Sequence, residues 1–439
     1  MKIALLSPRG PLYRHRTGIW RRSLRYAPLT LVTLAAYVPE ELDADVSIHD
    51  EGVEDIPLDL DADVIGISCI TGSSVRAYEL ADHYRKRGAT VVLGGVHPTL
   101  MPEEAKEHAD SVVVGYAEQT WPQLLRDYAN NALKPYYRAK TSEVDMRNLP
   151  LPRRDLQVKS KYLFADVIEA TRGCMHRCEF CVIETAWGNR PIQKPVGDVI
   201  AEIRAIGSKR LIFLDLNLIA NVAYAKELFR AMIPLKLKWT GLSTVLITLD
   251  EELLDLCARS GCVGLLLGLE SVSKEALTQT HKLFNTAVDY GQVIARLHER
   301  GISIMACFTF GLDGDDIGVF ERTAEFCIKY SIDLPRFSIV TPFPNTPLYN
   351  RLESEGRILT KDWDLYDAQH VVFQPKNMTV EELYRGTEWA WKRVYEYGSI
   401  WKRLSKTKMN LPFVIPANIG YRFYANNLHR YYTCEAFEP

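Results

Sequence analysis

The sequence has few of the features that mark membrane-spanning, disulfide-linked or nucleic-acid-binding chains. No apolar run approaches the ~20 residues that a membrane-spanning helix needs. Nine cysteines in 439 residues are too few for a disulfide scaffold. A net charge of −2 leaves no excess of positive charge for general nucleic-acid binding. With 47% apolar side chains the chain is predicted to fold, and its length predicts two or three domains.

The beginning of the chain is rich in arginine and has no acidic residue before Glu40. This composition also occurs in transit peptides. Here the apolar run from Lys2 to Ser7 is followed by prolines and a glycine, which indicates a buried strand and a loop. The run is shorter than the ~7–15 apolar residues of a secretion signal. We therefore expect a cytoplasmic protein with an ordered basic loop from Pro8 to Tyr26.

Strand and helix patterns alternate over residues 1–130. Strands that are apolar throughout and separated by helices are typical of a doubly wound parallel sheet that is covered on both faces. The predicted strands are Ile3–Leu6, Val46–His49, Val64–Ser68, Val91–Leu93 and Ser111–Val114. The predicted helices are Ser74–Arg87 and Glu118–Ala129. This segment is therefore predicted to be the first domain.

Small or turn-forming residues follow several of these strands. Parallel sheets bind ligands beyond the carboxyl ends of their strands, so these residues either form ordinary turns or line a binding crevice. The first βα turn has no G-x-G-x-x-G motif, so a dinucleotide site is not supported. The crevice residues predicted from this pattern are Ser7, Arg9, Gly72, Gly94 and Gly95.

The remainder of the chain divides into three parts. Residues 131–165, with three prolines and little apolar periodicity, are predicted to be a connector. Residues 166–379 return to βα alternation and predict a partial (β/α)6 barrel of the TIM type, whose site would lie at the strand carboxyl ends. Residues 380–439 are predicted to be helical and aromatic-rich, and they could cover the barrel mouth. The barrel strands are predicted at Val167–Ala170, Leu211–Leu214, Leu237–Leu242, Leu265–Leu269, Ser303–Phe310 and Phe337–Val340.

Three cysteines, Cys174, Cys178 and Cys181, lie on one short loop directly after the first barrel strand. Thiolates grouped in this way bind soft metals, and cysteine thiolates hold iron–sulfur clusters. Three ligands to a four-iron cluster leave one iron open. The alternative is a zinc site with His176 as fourth ligand, although a single residue on either side of this histidine makes tetrahedral wrapping awkward.

The spacing of these cysteines, with Phe180 directly before the last of them, resembles the signature of the radical S-adenosylmethionine (SAM) superfamily. The resemblance covers nearly the whole chain and implies a [4Fe-4S] cluster held by Cys174, Cys178 and Cys181. In that superfamily the open iron binds the amino and carboxylate groups of SAM. One electron from the cluster then releases a 5′-deoxyadenosyl radical, which takes a hydrogen atom from the substrate.

The resemblance also implies which residues bind SAM. Asp215 and Asn217 close the second barrel strand, at the position that receives the methionine amino group in similar proteins. Glu270 ends a later strand, where a carboxylate binds ribose hydroxyls; the alternative is a solvated charge at a strand end. The predicted SAM-binding residues are Phe180, Asp215, Asn217, Glu270, Ser271, Thr309 and Gly311.

The front of the chain resembles the cobalamin-binding module of one large radical SAM class. The resemblance rests on Gly94-Gly-Val-His-Pro-Thr99, Pro102-Glu-Glu-Ala105 and Gly115-Tyr-Ala-Glu118, and it adds His97 and Glu118 to the crevice residues. Many members of this class methylate carbon through methylcobalamin. The bulky, basic loop after the first strand departs from the common members. Either its arginines hold an anionic ligand, or the loop fills the crevice and no cobalamin binds.

Two reaction types fit this resemblance. The crowded first loop favours hydrogen abstraction from a small hydroxylated natural-product intermediate, with dehydration or deoxygenation as in the radical SAM diol dehydratases of aminosugar antibiotics. The alternative is a cobalamin-dependent C-methyltransferase. A hypothesis of another class is a cluster-bearing regulatory or electron-transfer protein. The predicted substrate contacts are Trp187, Tyr366, Asp367 and His370. The expected protein partner is an electron donor of the flavodoxin or ferredoxin type, for which the basic loop is a candidate docking site.

Overall fold

The computed structural model describes residues 1–10, 23–139, 144–407 and 409–428. Most of the predicted basic loop, including Tyr13 and Trp20, lies outside these residues. So does the end of the aromatic tail, including Tyr431 and Tyr432.

A six-stranded parallel sheet forms the first part of the structure. Its strands are β1 (Lys2–Ser7), β3 (Asp45–Asp50), β4 (Val64–Ser68), β5 (Thr90–Gly94), β6 (Ser111–Val114) and β7 (Tyr136–Arg138), in the order β3-β1-β4-β5-β6-β7. The direction of the winding changes between β1 and β4, and in doubly wound sheets the ligand crevice opens at this switch point. Buried residues on both faces explain why the central strands β1, β4, β5 and β6 are largely apolar, whereas the edge strands β3 and β7 contain polar residues.

A second six-stranded parallel sheet forms the middle of the structure. Its strands are β9 (Val167–Ile168), β12 (Arg210–Phe213), β13 (Lys238–Ser243), β14 (Cys262–Glu270), β15 (Ser303–Phe310) and β16 (Leu334–Ile339), paired in that order. β9 and β16 are its two edges, so this sheet is an open barrel. The ends of its strands therefore gather on one side, where the barrel mouth lies.

Two small sheets complete the strands. β2 (Ser23–Tyr26) pairs with β8 (Tyr162–Phe164). β10 (Thr171–Arg172) pairs antiparallel with β11 (Ile192–Gln193), and the loop with the three cysteines lies between them.

Sixteen helices are present in the described residues. They are α1 (Thr30–Ala36), α2 (Ser74–Lys86), α3 (Val96–Leu100), α4 (Pro102–His108), α5 (Thr120–Ala129), α6 (Val182–Trp187), α7 (Val196–Ile206), α8 (Val222–Met232), α9 (Glu251–Arg259), α10 (Lys274–Gln279), α11 (Tyr290–Glu299), α12 (Val319–Lys329), α13 (Pro347–Ser354), α14 (Val380–Val394), α15 (Tyr397–Thr407) and α16 (Leu411–Asn426). None of them is long and apolar enough to cross a membrane.

Helices α14 and α16 pack on the edge strand β16, and α15 packs on α12 and α14. Thr379 caps the start of α14. Its hydroxyl accepts a hydrogen bond from the Glu382 amide, and the Glu382 carboxylate accepts one from the Thr379 amide. Arg403 of α15 is fully buried and donates to the carbonyl oxygens of Ile332 and Asp333 at 2.7 and 2.9 Å. These bonds fix the helical region to the end of the sheet.

The structure confirms the predicted fold class of a doubly wound sheet, an open barrel and a helical C-terminal region. Each predicted strand overlaps an observed one. The range 131–165, predicted as a connector, contains β7 and β8, which are only three residues long and have no alternation to reveal them. The domain boundaries themselves stay predictions.

Candidate active site

The loop that carries the cysteines leaves the carboxyl edge of the second sheet and is shaped by Gly173. This residue has a φ of 77°, and a Cβ on it would lie 2.7 Å from the carbonyl oxygen of Arg190. Glycine therefore allows the two sides of the loop to approach each other. The thiols of Cys174, Cys178 and Cys181 are free, as are the other cysteines of the described residues.

Main-chain hydrogen bonds at Glu179 fix the same loop. Its amide donates to the Thr280 carbonyl oxygen at 3.2 Å, and its own carbonyl oxygen accepts from the Leu348 amide at 3.1 Å. Its carboxylate also pairs with Arg351 at 2.6 Å. Since Glu179 and the main chain hold the loop, the three thiols are left to act as ligands.

Lys282 is the cation beside these thiols. Its side chain is 10% exposed, and its Nζ lies 2.5 Å from Glu270 Oε1. Burial raises the pKa of the Cys178 thiol to about 12, and Lys282 opposes this rise. Burial lowers the pKa of Lys282, but Glu270 and Cys178 outweigh it and leave that pKa raised. Lys282 thus favours the thiolate forms that a cluster requires.

His176, the fourth ligand of the zinc alternative, stacks on the ring of Phe284 with 3.8 Å between the centroids. In the described residues no group of three or more His, Cys, Asp and Glu is placed to hold a single metal ion. The thiols of a four-iron cluster each bind a different iron, so they lie farther apart than the ligands of one ion. A donor set of three thiols fits such a cluster.

The two residues predicted to receive the methionine amino group differ in their surroundings. Asp215 is fully buried and accepts hydrogen bonds from the amides of Ala170 and Thr171 at 2.5 to 3.2 Å. Burial raises the pKa of its carboxyl to about 7 against the effect of these bonds. Asn217 is 2% exposed, and its Oδ1 has no hydrogen-bond partner among the described residues. A buried acceptor without a partner suits an ammonium donor, so Asn217 fits this role better than Asp215.

Glu270 lies at the end of β14 with a φ of 61°. Besides the Lys282 pair, its Oε2 accepts a hydrogen bond from the Thr309 hydroxyl at 2.8 Å, which joins the ends of β14 and β15. Ser271 is buried, and its hydroxyl accepts from the Ser273 amide. The Gly311 amide donates to Asp315, whose pKa burial raises to about 7. Phe180 packs on the barrel core.

The crevice residues predicted in the first sheet end or follow its strands, and their role in binding stays a prediction. The Ser7 carbonyl oxygen accepts from the Glu51 amide, and Arg9 is exposed, with its amide donating to Glu51. Gly72 is buried in a turn before α2. Gly94 ends β5, and a Cβ on Gly95, which has a φ of 100°, would lie 2.6 Å from the Cys69 carbonyl oxygen.

His97 is fully buried and faces a junction with the C-terminal part of the chain. Its Nε2 lies 3.1 Å from Glu104 Oε1. The same carboxylate accepts hydrogen bonds from the Tyr78 hydroxyl at 2.9 Å and from Trp363 Nε1 at 3.0 and 3.1 Å. The Gly94–Thr99 motif therefore helps to fasten the first domain to the segment that follows the barrel.

Glu118 forms a second junction, at the cysteine loop. It pairs with Arg172, two residues before Cys174, and Arg172 pairs also with Glu169 at 2.7 Å. The Arg172 guanidinium lies 5.3 Å from the centroid of the Tyr116 ring. That ring in turn stacks on Trp187 at 5.9 Å, and α3 packs against α6. The carboxyl edge of the first sheet thus meets the cysteine loop of the second.

The remaining substrate candidates lie after β16. Tyr366 is buried, and its hydroxyl donates to the Thr360 carbonyl oxygen at 2.6 Å. Asp367 accepts hydrogen bonds from the amides of Gln369 and His370 and lies 3.0 Å from His370 Nδ1. Their contact with substrate, like that of Trp187, stays a prediction.

Lys282 and Arg172 are the functional candidates that the sequence did not reveal. Neither belongs to a motif that carries chemistry by itself, and their partners Glu270 and Glu118 lie 12 and 54 residues away along the chain. The only signal for Arg172 is its place just before the first cysteine.

Three family models match the chain. They are the B12 binding domain over residues 21–125, the radical SAM superfamily over residues 168–327, and a domain of unknown function (DUF4070) over residues 346–417. Among solved structures, the radical SAM methyltransferase TsrM from Kitasatospora setae, with cobalamin and a [4Fe-4S] cluster bound, shares the fold. The two structures superpose with a TM-score of 0.64 and 19% sequence identity, and the match covers 81% of this chain and 78% of that one.

Two curated relatives come from Chlorobaculum tepidum. The bacteriochlorophyllide d C-12(1)-methyltransferase is 32% identical over 87% of this chain and 86% of its own length. The C-8(2)-methyltransferase is 33% identical over 75% of this chain and 77% of its own length. The hopanoid C-2 methylase of Rhodopseudomonas palustris is 27% identical over 76% of this chain and 66% of its own length. The chain is therefore a radical SAM enzyme and belongs to the class of that superfamily whose members carry an N-terminal cobalamin-binding domain.

Proposed function

We propose that the protein is a cobalamin-dependent radical SAM C-methyltransferase. The observation that carries this proposal is the junction between the two sheets. The Arg172–Glu118 pair and the Tyr116–Trp187 stack bring the crevice edge of the first sheet against the cysteine loop. Methyl transfer from a corrinoid to a substrate radical requires both cofactors to face one substrate, which this junction favours.

In this class the cluster supplies the electron that cleaves SAM, and cobalamin supplies the methyl group that is transferred. The chain's own residues bind and position. Cys174, Cys178 and Cys181 would hold the cluster, and the buried Asn217 oxygen would accept from the methionine ammonium group. Glu270, fixed between Lys282 and Thr309, would face the ribose. The packing of α3 on α6 would keep water from the radical.

This proposal replaces the dehydration that the first loop favoured. The crowding argument depended on Tyr13, Trp20 and neighbouring arginines, which lie outside the described residues. The curated relatives described above are named as methyltransferases or a methylase. The similarity to them favours the methyltransferase alternative, and it also speaks against a regulatory or electron-transfer protein.

The names of these relatives suggest a class of substrate. Bacteriochlorophyllide and hopanoid are large, mainly apolar ring systems. We infer that this chain methylates an unactivated carbon of such a ring compound, with a tetrapyrrole as the first class to test. A small hydroxylated natural product is the second class. The electron donor of the flavodoxin or ferredoxin type stays part of the proposal.

The test starts from protein reconstituted anaerobically with iron, sulfide and hydroxocobalamin. With SAM carrying a labelled methyl group and a strong reductant, we expect 5′-deoxyadenosine and transfer of the label to carbon of a tetrapyrrole acceptor. Cys178→Ala is expected to lose both cluster iron and 5′-deoxyadenosine. Cys327→Ala, which removes a buried thiol of α12 away from the loop, is the matched control and should keep both.

Two results would contradict the proposal. A protein that makes 5′-deoxyadenosine but retains no corrinoid is not a cobalamin-dependent methyltransferase. Retained corrinoid with product that carries no label would indicate ring closure or rearrangement instead, and one relative is named as a cyclase of magnesium-protoporphyrin IX monomethyl ester.

A further inference from the structure

Helix α16 has an apolar outer face. Its inner stripe consists of Val414, Asn418 and Ala425, which are buried against the barrel. The opposite stripe consists of Ile415, Ile419 and Phe423, whose side chains are 46 to 48% exposed. A helix on a protein surface normally has charged or polar residues on its solvent side. An exposed apolar stripe therefore indicates a surface that binds a partner.

The helix α14 shows the normal pattern beside it. Its outward residues form ion pairs along the helix, Arg385 with Glu381 and Lys392 with Glu388. α16 has a single charged residue, Arg422. α14 therefore exposes ion pairs and one large apolar residue, Trp389, whereas α16 exposes a row of apolar side chains.

The outer face of α15 continues the same surface and adds positive charge. Trp401 is 74% exposed and Tyr397 66%, and the Arg422 guanidinium of α16 lies 3.9 Å from the centroid of the Tyr397 ring. Lys402 and Lys406 of the same helix are exposed, and neither forms an ion pair with an acidic side chain of the described residues. We call Tyr397, Trp401, Lys402, Lys406 and the α16 stripe the C-terminal face.

The exposed cations of this face have no acidic residue near them within their own helices. The sequence contains no Asp or Glu between Glu396 and Glu435, while Lys402 and Lys406 are exposed and Arg422 lies on the Tyr397 ring. Exposed aromatic and aliphatic side chains combined with unpaired cations are typical of helices that lie in the interface of an anionic bilayer. A second copy docked on this face would bring lysines of both chains together, and this stretch has no acidic residue to pair with them.

The helix also connects this face to the barrel mouth. At its start, Asn410 Nδ2 donates to the Val263 carbonyl oxygen and to the Ser303 hydroxyl, beside the amino ends of β14 and β15. Near its end, the Tyr424 hydroxyl lies 3.1 Å from Gln369 Oε1, next to His370. A surface that holds α16 would therefore lie along the barrel from its base to its mouth.

We propose that the C-terminal face docks the protein on an anionic phospholipid surface. The face lies flat in the headgroup region, with Ile415, Ile419, Phe423 and Trp401 inserted and the two lysines beside lipid phosphates. This inference goes beyond the proposed function and does not depend on it, because a lipid surface binds the chain with or without catalysis.

The test is sedimentation of the reconstituted full chain with lipid vesicles. We expect binding to vesicles of phosphatidylcholine mixed with phosphatidylglycerol and much weaker binding to phosphatidylcholine alone, with the difference lost at high salt. The affinity of the double variant Ile419→Ser/Phe423→Ser for these vesicles is expected to fall by at least about tenfold. Lys402→Gln and Lys406→Gln are expected to weaken binding about fivefold each. Leu58→Ser, at an exposed apolar residue of the first domain, is the matched control and should bind normally.

Three results would overturn the proposal. One is no sedimentation with either vesicle. The second is equal binding by the wild type and the Ile419→Ser/Phe423→Ser variant. The third is a wild-type protein that elutes as a dimer in size-exclusion chromatography while this variant elutes as a monomer. That result would identify the face as an interface between copies of the chain. All substituted side chains are exposed, and circular dichroism of each variant checks that the fold is retained.

Discussion

The buried junction between Glu118 and Arg172 allows a quantitative test of how the two sheets are joined. The side chains of both residues are 13% exposed, and Glu169 adds a second carboxylate to the same guanidinium. Arg172→Met would leave two carboxylates close together without a cation. Breaking a buried ion pair in this way costs about 3–5 kcal/mol, so we expect the free energy of unfolding to fall by about that amount.

The variant Glu118→Gln is expected to cost less, about 1–3 kcal/mol, because Arg172 keeps Glu169 as a partner. In the double variant the two losses should not add, with a coupling energy of about 1–3 kcal/mol. Urea unfolding, followed by tryptophan fluorescence and circular dichroism, measures these differences. The exposed pair Arg385–Glu381 of α14 is the matched control, and Arg385→Met should leave stability nearly unchanged because water screens that pair. A cost below about 1 kcal/mol for Arg172→Met, or strict additivity, would refute the argument.

Three further predictions concern other buried groups. Lys282→Met leaves the Glu270 carboxylate without its cation and removes the cation that favours the thiolate forms. We therefore expect less iron per chain after reconstitution, measured by an iron assay, and a partial recovery in Lys282→Arg. Trp363→Phe removes the indole donor to Glu104 and should cost about 1.5–3 kcal/mol of unfolding free energy in urea. Burial raises the pKa of Asp315 to about 7, so the folded state favours its neutral form. Between about pH 4 and pH 7 the wild type should therefore lose stability as pH rises, relative to Asp315→Asn. Urea titrations at pH 5 and pH 8 should show about 2–3 kcal/mol of this loss. Equal pH profiles for the two proteins would contradict this.

The sequence predicts those features that depend on neighbouring residues along the chain. Cys174, Cys178 and Cys181 are recognisable because their spacing places all three on one loop, and the apolar strands are recognisable because both sheets are buried on two faces. The three-residue strand β7 gives no such signal, since it is held by pairing with β6 rather than by its own pattern.

The features that escaped prediction depend on distant residues. The predicted role of Asp215, to bind the methionine amino group of SAM, stays a prediction. The sequence did not reveal that the amides of Ala170 and Thr171 donate to its oxygens, because only the folded chain brings them together. His97 belongs to a motif of the crevice and yet faces Glu104 and Trp363. The choice between dehydration and methylation depended on a loop whose position the sequence does not specify.

The carboxylate of Glu104 has a consequence for how the chain is completed during synthesis. Its partners Tyr78 and His97 emerge from the ribosome with it, but Trp363 follows 259 residues later. Asn345, which donates to the Leu100 carbonyl oxygen, is nearly as late. The sheet of the first domain can therefore form early, whereas the surface around Glu104 stays partly exposed until translation is almost finished. A nascent chain stalled before residue 363 should expose this patch to proteases and chaperones, and the finished chain should not.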